Sequence, residues 1–109
     1  MTYKLIFGAK RRPGMSREDF GRYWTTTHAE KAKRVPGILR YVINLAPDLG
    51  ASGREQAYDG FAEVWFESEQ AMRDSARSPE IRVVLDDEPN LFDLGTRFSV
   101  IVREHVMVG

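Results

Sequence analysis

Residues 16–46 read "SREDFGRYWTTTHAEKAKRVPGILRYVINLA" and hold a helix, a stop and a strand in that order. Ser16 can accept an amide hydrogen of the first helical turn, and Glu18 and Asp19 suit the positive end of the helix dipole. The apolar spacing continues to about Val35, where Pro36-Gly37 ends the helix. Ile38 to Ala46 is then rich in β-branched and aromatic residues, which predicts a strand.

Working outward, Tyr3 to Ala9 is a strand before the basic turn "KRRPG" at Lys10 to Gly14. Downstream, "PDLGASGREQ" is the longest loop, a candidate lid over residues 47–57. Gly60 to Phe66, "GFAEVWF", is a third strand. Ser68 caps a second helix through about Ala76, and "SPE" at Ser78 to Glu80 opens another helical turn. Residues 86–95 look irregular, and Arg97 to Val108 is a last strand. The order β-α-β-β-α-β predicts a ferredoxin-like α+β fold, with helices on one face of an antiparallel four-stranded sheet.

Both faces of the strands are apolar. Phe61 and Trp65 oppose Ala62, Val64 and Phe66; Val100 and Val102 oppose Ile101. Helices cover one face only, so the open face is expected to be covered by a second copy, making a homodimer. The 109 residues suit one domain, 1–109.

Composition narrows the function. Lys+Arg and Asp+Glu number 16 each, so the formal net charge is zero, and neither nucleic acid nor an anionic membrane is an expected partner. There is no cysteine, which removes disulfides, thiolate nucleophiles and cysteine-based metal sites. "MTYKLIFGAK" is too short an apolar run for a leader or a span, so a cytoplasmic protein is expected. Two histidines without an arranged carboxylate cluster give little support to a metal site. "GASG" lacks the Lys-Ser/Thr of a phosphate loop, and no Gly-x-Ser-x-Gly elbow or nucleotide fingerprint is present, so no cofactor is expected.

The candidate chemistry lies on the first helix. Phe20, Trp24 and His28 are four apart and share one stripe, with Thr27 and Val35 in the same sector. His28 is thus expected to face the sheet, either as an acid/base in a pocket or as a satisfied core histidine. Thr25, Thr26 and Thr27 can bond back to carbonyls one turn earlier and loosen the helix. Lys31 also points inward, either with its stem along the core edge or as a partner for an anionic ligand. Tyr41 can offer its phenol to a ligand or to the imidazole, and Asn44 has the opposite strand phase. Glu63 reads as a charge paired across the dimer. Asp59, Asp86, Asp87, Glu88 and Asp93 read as caps and turns.

Together, "PGMSREDFGRYW…H", "PGILRY", "YDGFAEVWF", "SPE" and "DDEPNLFD" resemble the EthD family over nearly the whole chain. The resemblance implies a dimeric α+β barrel. Among the relatives are a methylmuconolactone methylisomerase, fungal dehydratases and cyclisation partners of polyketide pathways, and, further away, cofactor-free monooxygenases and haem-degrading enzymes. It makes His28 the catalytic histidine and Tyr41 its companion. Val64 stands where the isomerase has a cysteine. Glu30 and Lys31 stand where family members commonly carry Pro and an apolar residue.

The expectation is therefore a cofactor-independent enzyme moving a proton, by isomerisation, dehydration or related lyase chemistry, on a small apolar ring-containing or lactone-like metabolite. His28 and Tyr41 would be catalytic, and Trp24, Phe7, Lys31, Val64 and Phe92 would contact the substrate. The alternatives are a non-catalytic hydrophobic-ligand carrier or accessory protein of a monooxygenase system, and a cofactor-free or haem-using monooxygenase.

Overall fold

A computed structural model describes residues 3–48 and 56–109. The candidate lid over 47–57 lies largely outside the described residues. Strand β1 (Tyr3–Arg11) leads into α1 (Arg17–Tyr23), a π-helical turn (Trp24–His28) and α2 (Ala29–Ala32). Strands β2 (Ile38–Leu45) and β3 (Gly60–Phe66) follow, then α3 (Glu69–Ala76), α4 (Pro79–Asp87), a 3-10 turn (Glu88–Asn90) and β4 (Phe92–Val102). The sheet order is β2-β3-β1-β4, antiparallel throughout, with two edges provided by β2 and β4.

The caps act where the sequence places them. The Ser16, Ser68 and Ser78 hydroxyls accept the backbone N–H of Asp19, Ala71 and Ile81, and Pro79 occupies the first turn of α4. Gly37 follows the stop at φ 88°, a conformation that disfavours any side chain.

Three strand boundaries differ from expectation. Strand β1 runs on through Lys10 and Arg11, which pair with Asp93 and Phe92. The segment 86–95 is therefore regular: it finishes α4, makes the 3-10 turn and begins β4. A register shift between Gly8 and Lys10 accommodates this, with the Lys10 N–H donating to Thr96 Oγ1 at 2.9 Å. Asp93 and Gly95 hide the strand, because edge pairing rather than propensity holds it. At its other end β4 stops at Val102, so exposed His105 is not on a strand.

Alternation assigns the faces. Leu5, Phe7, Tyr41, Ile43, Ala62, Val64 and Ile101 share the face toward the helices, as the register and the lining of the space beneath them require. Phe7, Ala9, Phe20, Trp24, Ala62, Leu91 and Phe92 form the main core. A smaller cluster of Ala32, Val35 and Val84 seats α4 against α2.

The open face carries Ile6, Val42, Phe61, Trp65, Phe98 and Val100. Phe61 and Phe98 close over Gly8, where a Cβ would overlap both rings. Glu63 belongs here too, and within the chain it pairs with Lys4 and accepts from Asn44. No helix among the described residues is long and apolar enough to cross a membrane.

Candidate active site

Between the helices and the sheet lies a cavity of about 340 Å³. Its walls are mostly apolar, with Phe7, Trp24, Val64 and Phe92 among them; His28, Tyr41, Ser75, Glu88, Arg97 and Ser99 supply the polar atoms. Phe92 is the hub of the aromatic wall. Its ring lies 4.9 Å from Trp24, 5.0 Å from Phe7 and 5.6 Å from the His28 imidazole, which it meets edge to face.

The run "WTTTH" is the π turn itself. The Ala29 N–H reaches back to the Trp24 carbonyl, one residue further than in an α-helix. Thr25 Oγ1 donates to the Gly21 carbonyl at 2.7 Å, and Thr26 Oγ1 donates to that of Arg22. These back-bonds occupy carbonyls one turn earlier and favour the wider turn. The wider turn leaves Thr27 outside, exposed rather than inward as regular spacing predicts. His28 lies on the sheet side, where its side chain is only 5 % exposed.

His28 meets a carboxylate there. Its Nδ1 lies 2.8 Å from Oδ2 of Asp87, whose side chain is 1 % exposed. Asp87 also accepts from Tyr23 Oη at 2.6 Å, Asn90 Nδ2 at 2.9 Å and Lys31 Nζ at 2.9 Å. Burial pushes the Asp87 carboxyl up, but these donors together outweigh it and hold the group well below the usual carboxylate range. An ionised carboxylate only accepts, so Nδ1 carries the imidazole proton and Nε2 keeps its lone pair. Burial lowers the His28 pKa against the pull of Asp87, so the ring is neutral near pH 7.

Tyr41 does not touch the imidazole. Its hydroxyl accepts the Trp24 indole N–H at 3.3 Å, which leaves its own O–H free to point elsewhere. Burial raises the phenol pKa, so it stays a neutral donor.

Lys31 is half-buried as expected but is not part of the cavity wall. Its ammonium is held by Asp87. Asp87 and Glu88 correct an expectation, since both are buried rather than simple turn residues. Glu88 lies on the cavity and pairs with Arg97, Nε to Oε1 at 3.1 Å. Burial raises the Glu88 pKa against that pairing. The missed signal was spacing: Asp87 and Glu88 follow Val84 by three and four residues, so an α4 continued past Glu80 places all of them on one face. Among the described residues, no group of three or more His, Asp or Glu side chains is arranged to hold a metal ion.

An EthD domain model matches residues 12–95. The chain belongs to the EthD family. An EthD family protein from Bacillus halodurans superposes with a TM-score of 0.77 at 19% identity, covering 96% of this chain and 100% of its own. A dimeric ferredoxin-like protein of unknown function from Thermobifida fusca gives 0.70 at 17% identity, covering 94% and 90%. A variant of SnoaB, a cofactor-independent oxygenase from Streptomyces nogalater, gives 0.59 at 16% identity, covering 98% and 94%. No curated protein matches the chain. At these identities the structural likenesses establish the ferredoxin-like α+β fold of this EthD chain.

Proposed function

We propose that this EthD protein is a small cofactor-independent enzyme that moves a proton on an apolar ring-containing or lactone-like metabolite. The observation that carries the reading is the buried Asp87–His28 pair on the wall of an apolar cavity. His28 Nε2 is the base. It takes a proton from a carbon made acidic by an adjacent carbonyl, and the electron pair moves onto the carbonyl oxygen. Asp87 stabilises the imidazolium that forms and keeps the ring in register; it is a positioning residue. Tyr41 donates its O–H toward the substrate oxygen, while Trp24 holds the phenol in place. The imidazolium then returns the proton to a different carbon, giving an isomer, or to a leaving hydroxyl, giving dehydration. Phe7, Val64 and Phe92 pack the ring and exclude water.

The working unit in this reading is a cytoplasmic homodimer joined through the open sheet face, with no cofactor. Its support is the apolar surface of that face, where Val100 is 45 % exposed, and the dimeric description of the Thermobifida fusca structure. A second reading, cofactor-independent oxygenation, draws on the likeness to SnoaB. It would share the deprotonation and differ in consuming O2.

Hydrogen–deuterium exchange tests the first step without knowledge of the product. A panel of cyclic ketones and lactones is incubated with the protein in D2O and followed by NMR. The wild type should accelerate exchange at the acidic C–H of at least one member, and His28→Gln should slow that exchange by about 10²–10⁴-fold. Equal exchange by both proteins would remove His28 as the base. An oxygen electrode on the same mixtures separates the two readings.

A further inference from the structure

Asp87 and Glu88 are consecutive, yet they grip different groups on one cavity. Asp87 holds His28; Glu88, itself only 8 % exposed, holds Arg97. Arg97 is the one permanent cation on the cavity wall among the described residues. It lies on the edge strand β4, on the side facing the helices, and its side chain is 37 % exposed. Its guanidinium carbon sits 5.1 Å from the Phe7 ring centroid.

The fork is oriented rather than used up. Nε and Nη2 face the Glu88 oxygens at 3.1 and 3.4 Å, and neither contact uses Nη1. A guanidinium gripped on one edge presents its remaining N–H groups in a fixed direction, the arrangement that suits an anionic oxygen. A surface arginine serving only to neutralise Glu88 would not also need to pack on the Phe7 ring that lines the cavity.

The rings set the spacing. Arg97 stacks at Phe7, Phe7 lies 5.0 Å from Phe92, and Phe92 lies 5.6 Å from His28. An aromatic wall thus separates the cation from the base. A flat apolar ring can lie along it with one end at His28 and an oxygen group at Arg97. We infer that Arg97 receives an anionic oxygen of the ligand, so that the cavity selects ring compounds carrying a carboxylate or an enolate. This rests on the reading of the cavity as the substrate site.

The probes are 2-naphthoate and its neutral counterpart 2-naphthamide, titrated into the full chain by calorimetry at pH 7.5. Naphthoate should bind at least about tenfold more tightly than the amide. Arg97→Gln should erase that preference, and Arg97→Lys should keep part of it. Equal binding of the two probes by the wild type, or a preference that survives Arg97→Gln, overturns the inference and leaves the cavity reading standing. Binding of neither probe overturns both. The wild-type comparison needs no variant, so a misfolded Arg97→Gln does not rescue the inference.

Discussion

Asp87→Asn removes one charge and almost no volume. The native carboxylate accepts from His28, Tyr23, Asn90 and Lys31 at 2.6–2.9 Å. An amide keeps one acceptor oxygen and turns the other position into a donor, so at least one of these groups must face an N–H. Bonds to a charged acceptor contribute about 1.5–3 kcal/mol each when buried. Lys31, a third exposed, regains water and accounts for little of the loss. Buried His28 and half-buried Tyr23 account for most of it. We expect a loss of about 2–3 kcal/mol, or a fall in Tm of roughly 10–20 °C for a domain of this size.

The assay is thermal unfolding by circular dichroism at fixed protein concentration, with imidazole 15N shifts read alongside. The wild-type ring should be neutral with its proton on Nδ1. Both folded pKa values lie below their unfolded ones, about 4 for the carboxyl and about 6.5 for the imidazole. Stability therefore rises with pH. The His28 contribution is full above about pH 6.5 and fades as acid protonates the folded ring; the Asp87 contribution fades only below about pH 4. The variant should lack the second loss. An Asn variant melting within about 3 °C of wild type, or a wild-type proton on Nε2, would refute the account.

Two further substitutions probe the frame around the site. Gly60→Ala places a Cβ where the Trp24 ring already lies, with the Asn44 carbonyl 3.1 Å away on the other side. It should cost about 1–3 kcal/mol and shift the Trp24 fluorescence; an unchanged melt and spectrum would show that the indole has room to move. Val100→Glu should leave the isolated fold intact, since Val100 is already 45 % exposed. It should give a monomer mass by light scattering where the wild type gives the mass of the proposed homodimer, and a dimer mass in the variant would place the interface elsewhere.

Part of the site was legible in the chain because helical spacing is local. Phe20, Trp24 and His28 at intervals of four, ahead of a Pro-Gly stop, put a histidine on the sheet side, and two serine caps and the Pro79 signal marked three helix starts. The exceptions have physical causes. Thr27 stays outside because threonine back-bonding accompanies a π turn, and regular spacing contains no such turn. The partner of Lys31 was not legible because the carboxylate that holds it lies far along the chain. Strand β4 looked irregular at Asp93 and Gly95 because the Lys10 and Arg11 pairings hold it there.

What the sequence determined by itself was the order of elements, the two apolar faces of the sheet and the side of the helix on which His28 lies. Each follows from periodicity and end signals read within a few residues. Only the tertiary structure decided what His28 meets. Residues 28 and 87 come together because α4 packs on α2 through Val84, Val35 and Ala32. No local signal encodes that meeting, yet it turns a buried histidine into one with a chosen tautomer. The carboxylate that does so resembles a turn residue until its surroundings have folded around it.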